Sequence, residues 1–288
     1  MKKLTPSRCL AVALLLGVTC GEASALSYSE QILAQGPLEY YRLGSATGEN
    51  GDAVVLNGVT VNNTTPAPTL NETGGFFGLN GNVWGNFSGD GTSALTDVVT
   101  GWGSNAGTIS LFVRQATTGG NPTRTLFFGN DTTVAGANGS FDSGTNQEIA
   151  TFVRTNGSYG IFIDNAGLDT IATPMSLNEW HHLAFTWERG AQPATGTLMA
   201  YLDGALVASA SGLTWDSYTI DVARFGKEIS TGSRNFAGSA DELAIFNRAL
   251  SSQEIAAQFA AAFIPEPASA TALLLAGTMM FRRARRRA

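Results

Sequence analysis

Residues 178–207 decide the fold: Asn178-Glu-Trp-His-His-Leu-Ala-Phe-Thr-Trp187, a loop over 188–196, then Leu198-Met-Ala-Tyr-Leu-Asp-Gly-Ala-Leu-Val207. Leu183, Phe185 and Trp187 share one parity, while His182, Ala184 and Thr186 share the other. A period of two sets the large residues on one face of a strand. The loop carries Gly190, Pro193 and Gly196, and a second alternating run starts at Leu198. That run ends in Asp203-Gly204, a pair suited to the positive φ angles of a tight hairpin, and a third short strand follows over 205–209. Three strands in series with one buried face predict an antiparallel sheet.

Working outward, strand-like runs recur between turn signals. They fall at 38–43, 74–80, 83–87, 108–114, 125–129, 148–154, 159–164, 218–225 and 239–247. Gly81-Asn82 and Asn156-Gly157 are further turn pairs, and 44–58 reads as polar and turn-rich. Residues 28–34 read as a short helical or capping turn. Residues 251–263 read as a helix, with Ser251 and Glu254 spaced as a capping box and Ile255 and Phe259 on one face. No linker and no repeat period divides the region, so the expectation is one all-β, two-sheet antiparallel sandwich over 26–263 with one short C-terminal helix.

Composition agrees. The 288 residues include 34 Gly and only 14% charged residues. The formal charge is −6. Residues 1–25 hold Lys2, Lys3 and Arg8, an apolar run over 10–18 and Ala23-Ser24-Ala25, the three parts of a signal peptide. Removing it, together with the five Arg beyond Phe281, leaves a body more acidic still. Such a body repels phosphate backbones, so no nucleic-acid partner is expected. Both cysteines, Cys9 and Cys20, lie in the leader, so the exported domain would have no disulfide and must be held by its own core.

The end of the chain, 264–288, differs in kind. Pro265-Glu266-Pro267 is followed by an apolar, uncharged stretch over 268–281 and an Arg-rich terminus. As a single hydrophobic helix that stretch would span about 21 Å, short of the usual bilayer core of about 30 Å. The Arg cluster would stay on the cytoplasmic side.

Two resemblances follow. The Pro-Glu-Pro, apolar segment and Arg cluster resemble the PEP-CTERM sorting signal of Gram-negative bacteria. The resemblance implies transient membrane insertion through the tail, an exosortase-type sorting protease as partner, and delivery to the cell surface, outer envelope or extracellular matrix. The body resembles the laminin-G-like jellyroll of the concanavalin-A-like superfamily. Trp180-His-His-Leu-Ala-Phe-Thr186, Leu202-Asp-Gly204, Phe225-Gly226, the run 238–250, and the opening Tyr40-Tyr-Arg-Leu-Gly44 carry it. Little of the pattern is recognisable over 48–75.

For a site, the sequence offers candidates of unequal strength. His181 and His182 are the only histidines, and as strand neighbours they face opposite ways. They are read as strand residues of the family motif. Asp241-Glu242 is likewise expected to point to both faces, a poor acid/base pair. No constellation for nucleophilic catalysis stands out, so the domain is read as non-catalytic. Calcium is the candidate cofactor, because the superfamily often binds it and oxygen ligands abound; Asp241 is the candidate ligand, with Asp90 or Asp97 contributing from loops. Trp84, Trp102 and Trp215, in turn-like surroundings, are the candidate sugar-stacking residues. The expected function is recognition of an extracellular polysaccharide or matrix material. The alternatives are adhesion to a surface protein or, more remotely, glycan cleavage by a carboxylate pair.

Overall fold

The computed structural model describes residues 26–41, 102–116, 123–131, 147–169, 173–190, 195–226 and 234–264, and the backbone alone of strands at 53–55, 62–63, 69–73, 83–88 and 95–101. The expected strands at 74–80 and the Gly81-Asn82 turn lie outside the described residues, as do 1–25 and 265–288 with the Pro265-Glu266-Pro267 motif. Among the described residues, no helix is long and apolar enough to cross a membrane.

Two antiparallel sheets face each other. The first runs β14 (Ala205–Leu213), β13 (Gly196–Leu202), β12 (His181–Arg189), β7 (Ala106–Gln115), β16 (Ala237–Phe246), β1 (Glu39–Tyr41), β2 (Ala53–Val55). In addition, β5 (Val83–Ser88) pairs the N-terminal half of β16, and β4 (Thr69–Thr73) pairs β5. The second runs β11 (Ala166–Leu168), β10 (Tyr159–Ile163), β9 (Glu148–Arg154), β8 (Thr123–Asn130), β15 (Thr219–Phe225), β6 (Leu95–Gly103), β3 (Asn62–Asn63). This is the expected jellyroll sandwich.

The opening stretch behaves as its pattern requires. Leu183, Phe185 and Trp187 enter the core between the sheets beside Ile109, Leu111 and Val113 of β7. Asp203 and Gly204 both take positive φ, +50° and +79°, as the two central residues of a primed turn do. The Asp203 carboxylate then ties the turn to β12, accepting the His182 backbone N–H at 2.9 Å and meeting His181 Nδ1 at 2.9 Å.

The expectation of one buried face needs correction. His182, Ala184 and Thr186 are buried too, because α1 (Tyr28–Ala34) and α2 (Ser252–Ala261) lie over that side of the first sheet. Small residues at Ala184 and Ala244 let Tyr28, Ile32, Ile255 and Ala262 approach and form a second apolar layer. The Ser251–Glu254 capping box of α2 is present as read. Across the sandwich, buried Arg124 of β8 donates to the carbonyls of Ala116 at 2.9 Å and Ala237 at 3.1 Å, linking second sheet to first. Burial lowers its pKa.

Candidate functional site

At one end of the sandwich several connections converge on buried Ser104, in the tight turn from β6 to β7. Its hydroxyl donates to the Asp216 carbonyl at 2.7 Å and accepts the Tyr218 N–H at 3.0 Å. Its backbone N–H donates to the Tyr218 carbonyl at 3.0 Å, and its carbonyl accepts the Trp215 indole N–H at 2.7 Å. A side chain at Gly103 would run into that same Tyr218 carbonyl, so glycine is required there for close approach. Tyr218 donates its hydroxyl to the Glu148 carbonyl at 2.6 Å, and the Trp102 indole donates to the Phe246 carbonyl at 3.2 Å. Four described segments at this end are thereby tied together.

The framework encloses a groove of about 620 Å³. Trp102 and Tyr218 wall it from below, and Asn105, Asp131, Gln147, Ser217, Thr219 and Asn247 supply its polar lining. These side chains come from the β6–β7 turn, the ends of β8 and β9, the entry to β15 and the exit from β16. Amides and hydroxyls both donate and accept hydrogen bonds, while the Asp131 carboxylate only accepts. No lysine, arginine or histidine is among the described lining residues.

Acidic groups lie nearby, as does Arg189, whose Nε donates to the Trp215 carbonyl at 2.8 Å. Asp164, at φ +49° in the turn after β10, is pushed up to about 6, first by burial and also by the charge of Asp216; the Asp216 and Glu148 backbones oppose the shift. Burial, then the charges of Asp164 and Glu148, push the Tyr218 hydroxyl well above its ordinary value.

Two of the three tryptophans singled out in the sequence meet at this end. Trp102 closes strand β6 rather than sitting in a loop. It is 1% exposed, its ring edge-on to Trp187 at 5.4 Å and Phe127 at 5.3 Å. Trp215 lies between β14 and β15 and is 5% exposed, seated where a side chain at Gly196 would overlap its ring. Trp84 falls on β5, opposite Glu72, away from both in the strand order; of its side chain nothing is described. Ser104, Asp131 and Tyr218 were not anticipated. The only sequence signal for the turn was the Gly-Ser-Asn after Trp102.

Asp241 lies elsewhere, on β16, and the expectation that it and Glu242 face opposite ways is wrong. The pairing of β16 with β7 shifts register between Asp241 and Ala244, and Glu242 takes φ +55°. This bulge turns both carboxylates toward the helix-covered side, where both charges raise the pKa of Tyr28 after burial, its largest cause. Asp241 accepts the Glu242 N–H at 2.9 Å, and Glu242 accepts the Tyr40 hydroxyl. Calcium takes 6–8 oxygen ligands. Among the described residues no group of three or more His, Cys, Asp or Glu side chains gathers to hold a metal, so the two carboxylates do not by themselves form a calcium cage. Asp97 is on β6, and Asp90 lies outside the described residues. A second groove of about 660 Å³ separates β12 and β13 from the start of α2, but Ser251 and Glu254 in its lining are already engaged in capping the helix.

The family model described as the concanavalin A-like lectin/glucanases superfamily, of laminin G type, matches residues 87–256. The chain belongs to this superfamily. Among solved structures it is similar to the botulinum neurotoxin serotype G binding domain, at TM-score 0.55 and 14% identity over 77% of this chain and 50% of that one. It is also similar to the botulinum neurotoxin serotype D ligand binding domain in complex with N-acetylneuraminic acid, at TM-score 0.53 and 12% identity over 80% and 52%. The binding domain of Paraclostridial Mosquitocidal Protein 1 matches at TM-score 0.52 and 15% identity over 77% and 51%. At these identities the likeness is one of fold, and the chain spans about half the length of these three structures. No curated protein sequence matches it.

Proposed function

We propose that the protein is an exported, non-catalytic recognition domain that binds a glycan of the cell surface or extracellular matrix through the groove around Ser104. The observation that carries this reading is the lining. Three amides, two hydroxyls and one carboxylate converge on an open cleft whose walls are fixed by buried hydrogen bonds. Sugar hydroxyls donate and accept at once, and such a set meets them without reorganising. Trp102 and Tyr218 contribute as the rigid apolar wall beneath, and Trp215 is not among the described lining residues. Fold-mates that are themselves binding domains, one in complex with N-acetylneuraminic acid, support the reading at the level of class. The single carboxylate among the described lining residues favours binding over glycoside hydrolysis, which uses two.

The sorting reading belongs to the same proposal. A cleaved leader over 1–25, and a PEP-CTERM-like tail handled by an exosortase-type protease, would deliver the domain to the envelope surface where such glycans lie.

A glycan array probed with the exported domain, run with and without a chelator, is the test. Binding to at least one polysaccharide, weakened by Ser104→Ala, is expected, and the chelator arm tests the calcium expectation. No binding to any polysaccharide, including the producer's own, would sink the proposal. Recovery of one protein and no sugar in a pulldown would move the function to adhesion.

A further inference from the structure

We propose that the groove around Ser104 and the second groove beside α2 are two halves of one cleft, which takes a linear polysaccharide along its length rather than a single terminal sugar. The inference rests on the glycan-binding reading and extends it to the class of ligand.

Adjacency carries the argument. The first groove, of about 620 Å³, and the second, of about 660 Å³, adjoin at two places. Ala106 of the first lies opposite Glu188 of the second in the β7–β12 ladder. Beside that pair the Asn105 carbonyl accepts the backbone N–H of Arg189 at 2.7 Å, and Arg189 stands between lining residues Glu188 and Gly190. On the other flank Asn247 of the first groove is two residues from Ala249 of the second. Across one strand pair and over two residues, the two linings come within about 8 Å of each other. Their border is held in place, because the Thr108 hydroxyl donates to the Arg248 carbonyl at 2.8 Å and accepts the Leu250 N–H at 2.9 Å.

The second groove is also built like the first. Thr186, 2% exposed, lines it, as does Tyr201, whose hydroxyl meets Ser252 Oγ at 3.2 Å and joins β13 to the start of α2. Half-buried Thr197 and exposed Thr195 and Gln253 add hydroxyl and amide groups, which donate and accept as sugar hydroxyls require. One sugar ring can fill only one groove. A chain of rings fills both, and its second contact is made at the high local concentration set by the first. Arg189 and Arg248 flank the border as cations, each bound to a backbone carbonyl, so neutral and acidic chains both belong in the test.

Each polysaccharide that the exported chain binds on the array, neutral or acidic, is cut, size-fractionated from disaccharide to decasaccharide, and titrated by calorimetry. Affinity is expected to rise at least about tenfold from the shortest fragment to the longest. Gln253→Ala and Thr197→Val, made separately, replace second-groove residues with ones suited to a helix and a strand, so the fold is retained. Each is expected to cut the long-to-short ratio by about threefold, the loss of one hydrogen bond. Asn105→Ala, in the first groove, should lower affinity at every length. Affinity independent of length would overturn the shared cleft while leaving the groove around Ser104 standing. A length dependence that neither second-groove variant reduces would overturn that groove as the extension. No binding on the array would overturn the parent reading, and the shared cleft with it.

Discussion

His182 is a buried base held neutral by its surroundings, and lowering the pH should charge it and loosen the helix layer above it. The ring is fully buried among Tyr28, Phe112 and Phe259, with centroids at 6.3, 5.0 and 6.2 Å, and neither ring nitrogen has a hydrogen-bond partner. Burial lowers its pKa from 6.5 to about 4, against the opposing effects of Asp203 and the Gln258 side chain. The folded state thus refuses a proton that the unfolded chain accepts. Stability from this group is intact above pH 6.5, falls as pH drops below that value, and is fully lost near pH 4. At 1.36 kcal/mol per unit the loss is about 3 kcal/mol, or roughly 6–12 °C in Tm for a domain of this size. Asp164 works in the opposite direction. Its raised pKa makes the fold gain stability as pH falls from about 6, though its partial exposure reduces the effect. The clean quantity is therefore a difference. Urea unfolding of the native chain and of His182→Leu, close in volume, should be measured at pH 7.5, 5.5 and 4. The variant is expected within about 1 kcal/mol of the native chain at pH 7.5, since it removes two unpartnered polar atoms along with ring contacts. The gap should then move in the variant's favour by about 3 kcal/mol by pH 4. A gap constant across the range would refute the assignment of a buried, neutral imidazole.

Two further outcomes follow from the packing. A methyl at Gly107 would overlap the fully buried Trp187 ring, so Gly107→Ala should cost about 1–3 kcal/mol by denaturant unfolding, and Trp187→Phe in the same chain should recover part of it. Ser251→Ala removes the acceptor for the Glu254 N–H at 3.3 Å and should cost about 1 kcal/mol. The Arg248 hydrogen bond is the first cause holding Glu254 down at about 2 rather than 4.5, so its contribution is present above pH 4.5 and lost toward pH 2. That window lies below most of the His182 range, and solvent keeps the effect small.

What the sequence shows and what it hides have physical causes. The strand pair around Asp203-Gly204 was legible because alternation and turn chemistry are local, with a period of two and a pair of residues tolerant of positive φ. The Ser251–Glu254 box was legible for the same reason. The second buried face of β12 was not, because His182, Ala184 and Thr186 carry a pattern that fits solvent as well as a helix layer, and that layer comes from segments more than 60 residues away at each end. The bulge at Glu242 was hidden too. Nothing in Ala-Asp-Glu-Leu announces an extra residue in the ladder, yet that residue puts two carboxylates on one side.

The groove was the least legible feature, and its construction explains why. Its polar lining is drawn from separate connections spanning Asn105 to Asn247, each made of the Asn, Ser, Thr and Asp that any turn would use. What distinguishes them is their convergence, enforced by the Ser104 hydroxyl, the Tyr218 hydroxyl and two indole N–H groups that each bind a backbone carbonyl of another segment. Tryptophan was therefore a useful marker of the right end of the molecule for a reason other than stacking. Trp102 and Trp215 hold loops in place from within the fold, and the groups left facing the cleft are the small polar ones that carry no signature of their own. A search for exposed aromatic platforms alone would pass over this cleft. A search for buried side-chain donors that tie loop carbonyls together would arrive at it directly.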